Sequence, residues 1–385
     1  MIGPLRIAML AHSTNPRGGV VHALELSEAL TALGHDVVLH APDPRGQGFF
    51  RPTRCATRPV AAGPALPEMT GMVEQRIADY IAHFEQPAAR DFDLFHAHDG
   101  ISGNALAALR QRGLIGGFLR TVHHIDSFAD PRLMQLQARS ITAANAHACV
   151  GSEWQAQLKT EYGIAATWVG NGVDRCRFTP DRDDRDEHIR NRFGLGAGPI
   201  LLVVGGVEER KNTTRILEAF LQLRAVVPAA QLVIAGGASL LDHAGYQSTF
   251  ETVLQASGVP QSAVHRLGPI ADADMPALYR LATTLVFPSV KEGFGLCVIE
   301  AMACGTPVIV SSIRPFTDYL GEQDAIWCDP HQVGSIADAM VASLQPGLRD
   351  RLVPRGQLTA ARHDWRDVAT RHLPLYQKLA EPAHA

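Results

Sequence analysis

Paired cysteines are missing from this chain of 385 residues. Its six cysteines (Cys55, Cys149, Cys176, Cys297, Cys304 and Cys328) are scattered, with no C-x-x-C among them. That spacing points away from a disulfide framework and toward reduced thiols. Long apolar runs are missing too: nothing approaches the roughly 20 residues that a spanning helix needs. Met1–Leu10 is too brief an apolar run for a secretory signal before His12 and Asn15 intervene. Together these absences predict a soluble, cytoplasmic protein. A dominant charge is lacking, and a net charge of −4 gives no reason to expect nucleic acid as a partner. The dinucleotide fingerprint G-x-G-x-x-G is lacking as well. The glycine turns Asn15-Pro-Arg-Gly18-Gly19 and Gly205-Gly206 have the wrong spacing, and Asp43 is followed by Pro44, so NAD binding is not expected.

What is present is an alternation. With 46% hydrophobic residues, the chain is long enough for two α/β domains with full cores. Leu5–Ala11 is a continuous apolar run, as in a parallel strand buried on both faces. A loop over Ser13–Gly19 leads to a helix with Ala23, Leu26, Leu30 and Leu33 on one face and Gly34 as its stop. Val37–His40 reads as the next strand, ended by Pro42. The pattern recurs at Asp93–His98, Phe118–His123, Ala148–Val150 and Thr167–Val169. A second series runs through Ile200–Gly205, Gln231–Gly236, His265–Gly268, Leu285–Pro288 and Val308–Ser311. Such alternation predicts an α/β protein with doubly wound parallel sheets in two Rossmann-like halves. The expected division is 1–174, a hinge at 175–198 rich in Asp and Arg, 199–360, and a closing helix in 361–385. Ligands of such sheets sit outside the C-terminal strand ends, so two facing domains predict one deep cleft.

The most informative segment is Glu292-Gly-Phe-Gly-Leu-Cys-Val-Ile-Glu300. Thr284–Pro288 ahead of it reads as a buried strand. Leu296–Cys304 reads as an apolar helix that Gly305 and Pro307 terminate. The N–H groups of Gly293, Phe294, Gly295 and Leu296 then lie at a helix N-terminus, where an anion is favoured. Glu300 lies about one turn inside and leans back toward the same mouth. An anion cradle flanked by two carboxylates, which accept from sugar hydroxyls, suits a nucleotide sugar. A bare Glu-x7-Glu pair also occurs on any solvated helix; the glycines and the preceding strand set this one apart.

Pro288–Val308 resembles the Glu-x7-Glu element of the family 4 retaining glycosyltransferases, whose form is close to P-S-x-x-E-G-F-G-L-x-x-x-E-A-M-A-x-G-x-P-V. The resemblance spans essentially the whole chain. Gly18-Gly19-Val20 before Leu24-Glu25-Leu26 looks like the family's first glycine loop. Phe95-His-Ala-His98 and Thr121-Val-His123 resemble its acceptor-domain strand ends. Asn171-Gly-Val-Asp174, with Phe178 and Pro180, is similar to its N-G-V-D…F-x-P hinge entry. Val204–Asn212, which contains Lys211, resembles its phosphate-binding loop, and Trp365…Tyr376 looks like the helix that crosses back to the first domain. The resemblance implies the GT-B fold, with two facing Rossmann-like domains. It also implies retaining transfer of a hexose-type sugar from a UDP- or GDP-linked donor to an acceptor hydroxyl, without a cofactor or bound metal. One position departs from the pattern: Gly206 stands where the family usually has an Arg. Arg210 either supplies that charge from the other side of the loop or is an ordinary solvated residue.

Bond cleavage at the anomeric carbon builds negative charge on the leaving diphosphate, which fixed donors in a water-poor site stabilise. Lys211, Arg210 and the N–H groups of Gly19 and of Gly293–Leu296 are the candidate donors. The resemblance assigns sugar hydroxyls to Glu292, ribose hydroxyls to Glu300 and contact with the transferred sugar to His123, with His124 as the adjacent alternative. Gly18, His98 and Asn171 are candidates on the acceptor side, whereas His96, inside a strand, reads as core. Either the departing phosphate takes the acceptor proton in a same-face route or a double displacement operates. Asp272-Ala-Asp274 spells the metal motif D-x-D of an unrelated transferase fold, but it precedes a helix and reads as an N-cap.

The loops 45–65 and 84–90 carry no recognisable pattern, so a small molecule, a glycan or a lipid-linked acceptor all fit. Arg110, Arg112 and Arg120 around Leu114, Ile115 and Phe118 would form a basic, lipid-facing patch for peripheral membrane contact. The simpler reading is a helix end running into a buried strand. Two other functions suit the same residues: a GT-B nucleotide-sugar epimerase or hydrolase, and a non-catalytic nucleotide-sugar-binding protein.

Overall fold

The structure, a computed structural model, describes residues 3–237 and 243–380. The chain divides into two compact units. One reaches to Asn171 and resumes at Trp365; the other is Gly172–Asp364.

The first unit opens with β1 (Arg6–Leu10), α1 (Gly18–Ala32), β2 (Asp36–Asp43), β3 (Ala56–Ala61) and α2 (Met69–Glu85). It continues with β4 (Leu94–Ala97), α3 (Gly100–Gln111), β5 (Phe118–Val122), α4 (Pro131–Thr142), β6 (Ala146–Cys149), α5 (Ser152–Tyr162) and β7 (Thr167–Trp168). These strands form one parallel sheet in the order β3-β2-β1-β4-β5-β6-β7. Tyr80 and Phe84 of α2, Leu106 and Leu109 of α3, and Phe118 of β5 fill one side of it.

Two features of this unit differ from the sequence reading. Pro42 does not end β2, whose pairing with β3 continues to Asp43↔Ala61. Residues two apart in a strand face the same neighbour, and His40 faces the β1 side, accepting from Ala11 N. The missing N–H of Pro42 therefore falls where β1 has already ended, at Leu10. The second feature is β3 itself, inside the expected loop 45–65. It is an edge strand in which only Val60 is buried, so it carries almost no hydrophobic signal. The loop before it is tied down by Arg51, which pairs with the buried carboxylates of Glu25 (3.0 Å) and Glu28 (2.9 Å) on α1.

The second unit begins with α6 (Asp184–Arg192), β8 (Ile200–Val204), α7 (Thr213–Val226), β9 (Gln231–Ala235), α8 (Ala244–Ser257), β10 (Val264–Gly268) and α9 (Met275–Leu281). It goes on through β11 (Thr284–Phe287), α10 (Leu296–Ala303), β12 (Val308–Ser311), α11 (Phe316–Tyr319), β13 (Ile326–Cys328), α12 (Val333–Ser343) and α13 (Leu348–Ala361). Its parallel sheet has the order β10-β9-β8-β11-β12-β13. Ile216, Phe220 and Leu223 of α7 pack with Leu232, Ile234, Phe250 and Met340. The last helix, α14 (Trp365–Ala380), lies in the first unit, against α1.

The stretch expected as a hinge lies within the second unit and holds α6. The one buried apolar side chain of α6 is Ile189. The helix is held instead by Asp186, whose buried carboxylate takes Arg280 of α9 at 2.9 Å. Hydrophobic patterning is blind to such a contact. In each sheet the strand order reverses at one point, between β1 and β4 and between β8 and β11, and there the loops leave the strand ends in opposite directions.

Candidate functional site

In the second unit, β8 runs into Gly205-Gly206 and a single 3-10 turn, Glu209–Lys211. Gly206 has φ +77°, and a Cβ there would lie 2.8 Å from the carbonyl oxygen of Gly237. Only glycine suits that backbone and that space. The Arg210 guanidinium reaches Glu292 Oε2 at 2.9 Å, beside Lys211 Nζ at 2.6 Å, so it stands on the same carboxylate as the loop lysine. The Lys211 ammonium also lies 4.2 Å from the centroid of the Phe287 ring at the end of β11. Asn212 closes the turn, donating from Nδ2 to the carbonyls of Pro288 (3.1 Å) and Pro330 (2.6 Å).

Glu292 is therefore a buried carboxylate between two cations, with 11% of its side chain exposed. Burial alone would push its pKa up. Lys211 and Arg210 outweigh that and hold it down at about 2. Its other oxygen accepts from Gly293 N at 3.0 Å, so this N–H, expected among the open donors, is already engaged. Phe294 contributes only backbone. Its ring stacks on Tyr319 at 4.6 Å, and its carbonyl accepts from the Tyr319 hydroxyl at 3.1 Å. Gly295, at φ +88°, leads into α10, and a Cβ on it would lie 2.8 Å from the Phe316 ring. No side chain caps α10; Val298 N in its first turn bonds to the Gly295 carbonyl at 2.9 Å, which leaves the N–H groups of Leu296 and Cys297 at the helix start, next to the loop that carries Glu292.

Glu300, one turn into α10, accepts from the buried Tyr279 hydroxyl at 2.7 Å. The Tyr279 ring meets Phe178 edge-on at 6.0 Å. Tyr279 and Asn212 hold the site's shape, and motif reading passed over Tyr279 because its partner lies 21 residues away. Asp274 of the D-x-D sequence stands at the N-cap position of α9, as expected, but its side chain makes no capping hydrogen bond there. Asp272 pairs with Arg177 and Asp274 with Arg192, because basic side chains reach them first. Among the described residues, no three His, Cys, Asp or Glu side chains are grouped as a metal ion would require.

The corresponding strand ends of the first unit gather histidines. Helix α1 starts at Gly18, one residue ahead of the predicted loop end and without a side-chain cap. A Cβ on Gly19 would lie 3.4 Å from His123 Cδ2, so the backbone here is in contact with that ring, whereas one on Gly18 would touch nothing. His123 Nε2 meets His98 Nδ1 at 3.2 Å. His98, expected to face an acceptor, is 2% exposed and has its second nitrogen on Met9 Sδ at 2.8 Å, so it backs His123 instead. Asn171 is likewise turned inward, its Oδ1 2.7 Å from Nδ1 of the buried His22. His22 packs edge-on against His123 at 4.8 Å and against Trp365 of α14 at 5.1 Å. His124 faces away, is exposed, and pairs with Asp126 at 2.9 Å. His96 is core, as its place in a strand implies, bonded to Tyr376 (2.9 Å) and Thr121 (2.7 Å).

Burial pushes the pKa of these rings down: His22 to about 4, His372 to about 3, and His96, His98 and His123 well below the usual range. The lipid-facing patch does not form. Arg120 is 5% exposed and donates to Thr121 O, Arg112 pairs with Glu85, and Phe118 is fully buried. No helix among the described residues is long and apolar enough to cross a membrane.

Sequence comparisons agree with this geometry. The description "Glycosyltransferase Family 4" matches residues 16–177, and "Glycosyl transferases group 1" matches residues 184–358. The chain is 30% identical to a D-inositol 3-phosphate glycosyltransferase of Salinispora arenicola, over 75% of this chain and 69% of that one. The chain belongs to glycosyltransferase family 4. It is also 26% identical to a phosphatidyl-myo-inositol mannosyltransferase of Propionibacterium freudenreichii, over 97% of this chain and 94% of that one. A third relative, the O-antigen chain mannosyltransferase B of Escherichia coli, is 31% identical over 50% of this chain and 49% of its own length. Among solved structures, a sucrose-phosphate synthase from Thermosynechococcus elongatus superposes with a TM-score of 0.79 at 23% identity, covering 97% of this chain and 99% of that one. The fold of this family 4 glycosyltransferase is GT-B.

Proposed function

We propose that the chain is a retaining hexosyltransferase that moves a mannosyl or glucosyl group from a UDP- or GDP-linked sugar to a hydroxyl of a polyol, glycan or lipid-linked acceptor. The observation that carries this reading is the convergence of Lys211 and Arg210 on Glu292 beside the uncapped start of α10. The relatives that act on inositol-containing acceptors support the polyol class.

In this reading Lys211, Arg210 and the first-turn N–H groups of α10 hold the diphosphate and take up the charge that grows as the anomeric C–O bond breaks. Glu300, oriented by Tyr279, accepts from the ribose hydroxyls, and Glu292 accepts from hydroxyls of the sugar. With its pKa at about 2, Glu292 is a poor proton acceptor near neutrality. That supports a same-face route in which the acceptor oxygen bonds to the anomeric carbon while its proton passes to the departing phosphate oxygen.

The test is to incubate the protein with UDP-glucose or GDP-mannose, with and without myo-inositol, inositol phosphate and simple sugars. Nucleoside diphosphate release that requires an acceptor, with a product that keeps the donor's anomeric configuration, supports the reading. Release or sugar isomerisation without any acceptor would make the chain a hydrolase or epimerase. Binding with no turnover across the panel would leave only a binding protein.

A further inference from the structure

Behind His123 stands a chain of contacts that sugar transfer does not by itself require. Met9 on β1 has no exposed surface, and its Sδ lies 2.8 Å from Nε2 of His98. The other nitrogen of His98 lies 3.2 Å from Nε2 of His123. A thioether accepts a hydrogen bond weakly and donates none. A lone pair on His98 Nε2 would therefore face lone pairs on sulfur, so His98 carries its proton on Nε2 and leaves Nδ1 bare. Burial holds both rings neutral at pH 7, so each has one N–H to place. A 3.2 Å contact between two ring nitrogens needs one proton between them. His98 Nδ1 does not supply it, so His123 Nε2 does. The hydrogen bond of the His123 ring is then the one from Nε2 to His98, and its Nδ1 keeps its lone pair.

We infer that Met9 and His98 fix His123 as its Nε2–H tautomer, which makes His123 Nδ1 a hydrogen-bond acceptor for a hydroxyl group of the carbohydrate substrate. The identity of that hydroxyl's owner rests on the transferase reading above; the tautomer does not. An uncharged acceptor nitrogen favours O–H and disfavours phosphate oxygens, which have no proton to give. It therefore selects the sugar or polyol part of a substrate, while the diphosphate falls to Lys211. His98 and Met9 are positioning residues, acting through His123.

The test is a long-range proton–nitrogen correlation spectrum of the full chain labelled with nitrogen-15 histidine, which reports the protonated nitrogen of each ring. His123 is expected with Nε2 protonated and Nδ1 bare. Met9→Leu, which keeps the volume but removes the acceptor, is expected to give a mixture of tautomers. His98→Leu should lose the tautomer preference and raise the KM of a carbohydrate substrate about ten-fold. His98→Asn, whose Oδ1 can replace Nδ1 as the acceptor, should keep both. A purely structural His98 would lower the melting temperature without moving the His123 tautomer. An Nδ1-protonated His123 in the unsubstituted protein, or an unchanged tautomer in both Met9→Leu and His98→Leu, overturns the inference. Absence of calorimetric binding of both UDP-glucose and GDP-mannose counts against the transferase reading alone, and the tautomers of the unsubstituted and Met9→Leu proteins then decide this one.

Discussion

The two units meet the same structural problem, polar groups at the end of a buried parallel sheet, with opposite chemistry. The second unit brings charges together: Lys211 and Arg210 lie 2.6 and 2.9 Å from one carboxylate oxygen. The first unit brings together His22, His98 and His123, and among the described residues none of these rings is paired with a carboxylate. Mutual neutralisation keeps Glu292 ionised at a buried position, whereas desolvation keeps the histidines uncharged. A charged site suits a diphosphate and an uncharged one suits hydroxyls, which is the division of labour that the proposed function gives to the two units.

The largest effect belongs to the charged side. Lys211→Ala is expected to cut turnover by about 10²–10³ while circular dichroism stays unchanged. Arg210→Ala should do less, since its side chain is 41% exposed against 12% for Lys211. Equal turnover in wild type and a folded Lys211→Ala variant would remove the diphosphate from this loop.

Acid should then tell the units apart. His22, His372 and His40 have folded pKa values of about 4, 3 and 3, below the unfolded value of about 6.5. The unfolded chain therefore takes up protons first as the pH falls. Stability is full above about 6.5 and is lost on the way down, by about 2 kcal/mol per ring at pH 5. Glu292 is depressed from 4.5 to about 2, so its contribution persists until the pH falls below about 4.5. Hydrogen exchange of β4–β6 is expected to lose protection between pH 7 and 5, after correction for intrinsic rates, while β8 and β11 keep theirs. Equal losses in both units would erase the contrast.

How much of this was legible in the sequence follows the physics of each contact. Strands β1, β8 and β9 are buried on both faces and appear as unbroken apolar runs. By contrast, β3 has one buried residue and β13 only three residues in all, so neither announces itself. Lys211, Glu292 and Glu300 were readable because a glycine turn, a helix start and a carboxylate spacing are local. The supporting contacts are not. His22 meets Asn171 across 149 residues and His96 meets Tyr376 across 280, and no local pattern encodes such pairs.

Two smaller predictions sharpen the charged side. Gly206→Arg would install the residue the family pattern places there. At φ +77° with a carbonyl 2.8 Å away, it is expected to cost about 1–3 kcal/mol of stability and to bring no gain in turnover. A stable and faster Gly206→Arg enzyme would show that Arg210 does not replace that charge. Tyr279→Phe removes the Tyr279 hydroxyl that donates to Glu300 and should raise the donor KM by roughly three- to ten-fold with kcat nearly unchanged. Glu300→Gln should follow the same split. Glu292→Gln should instead depress kcat, because in the proposed function Glu292 holds the sugar, which gains charge at the transition state.

The central claim, that the second unit grips a nucleoside diphosphate through Lys211, is tested most directly by isothermal titration of free UDP and GDP into the unsubstituted protein and Lys211→Ala. At least one nucleotide should bind the unsubstituted protein, and the variant should bind it about 10- to 100-fold more weakly, the range expected for a lost charge-assisted hydrogen bond. Equal affinity in the two proteins, or no binding of either nucleotide to the unsubstituted chain, would contradict it.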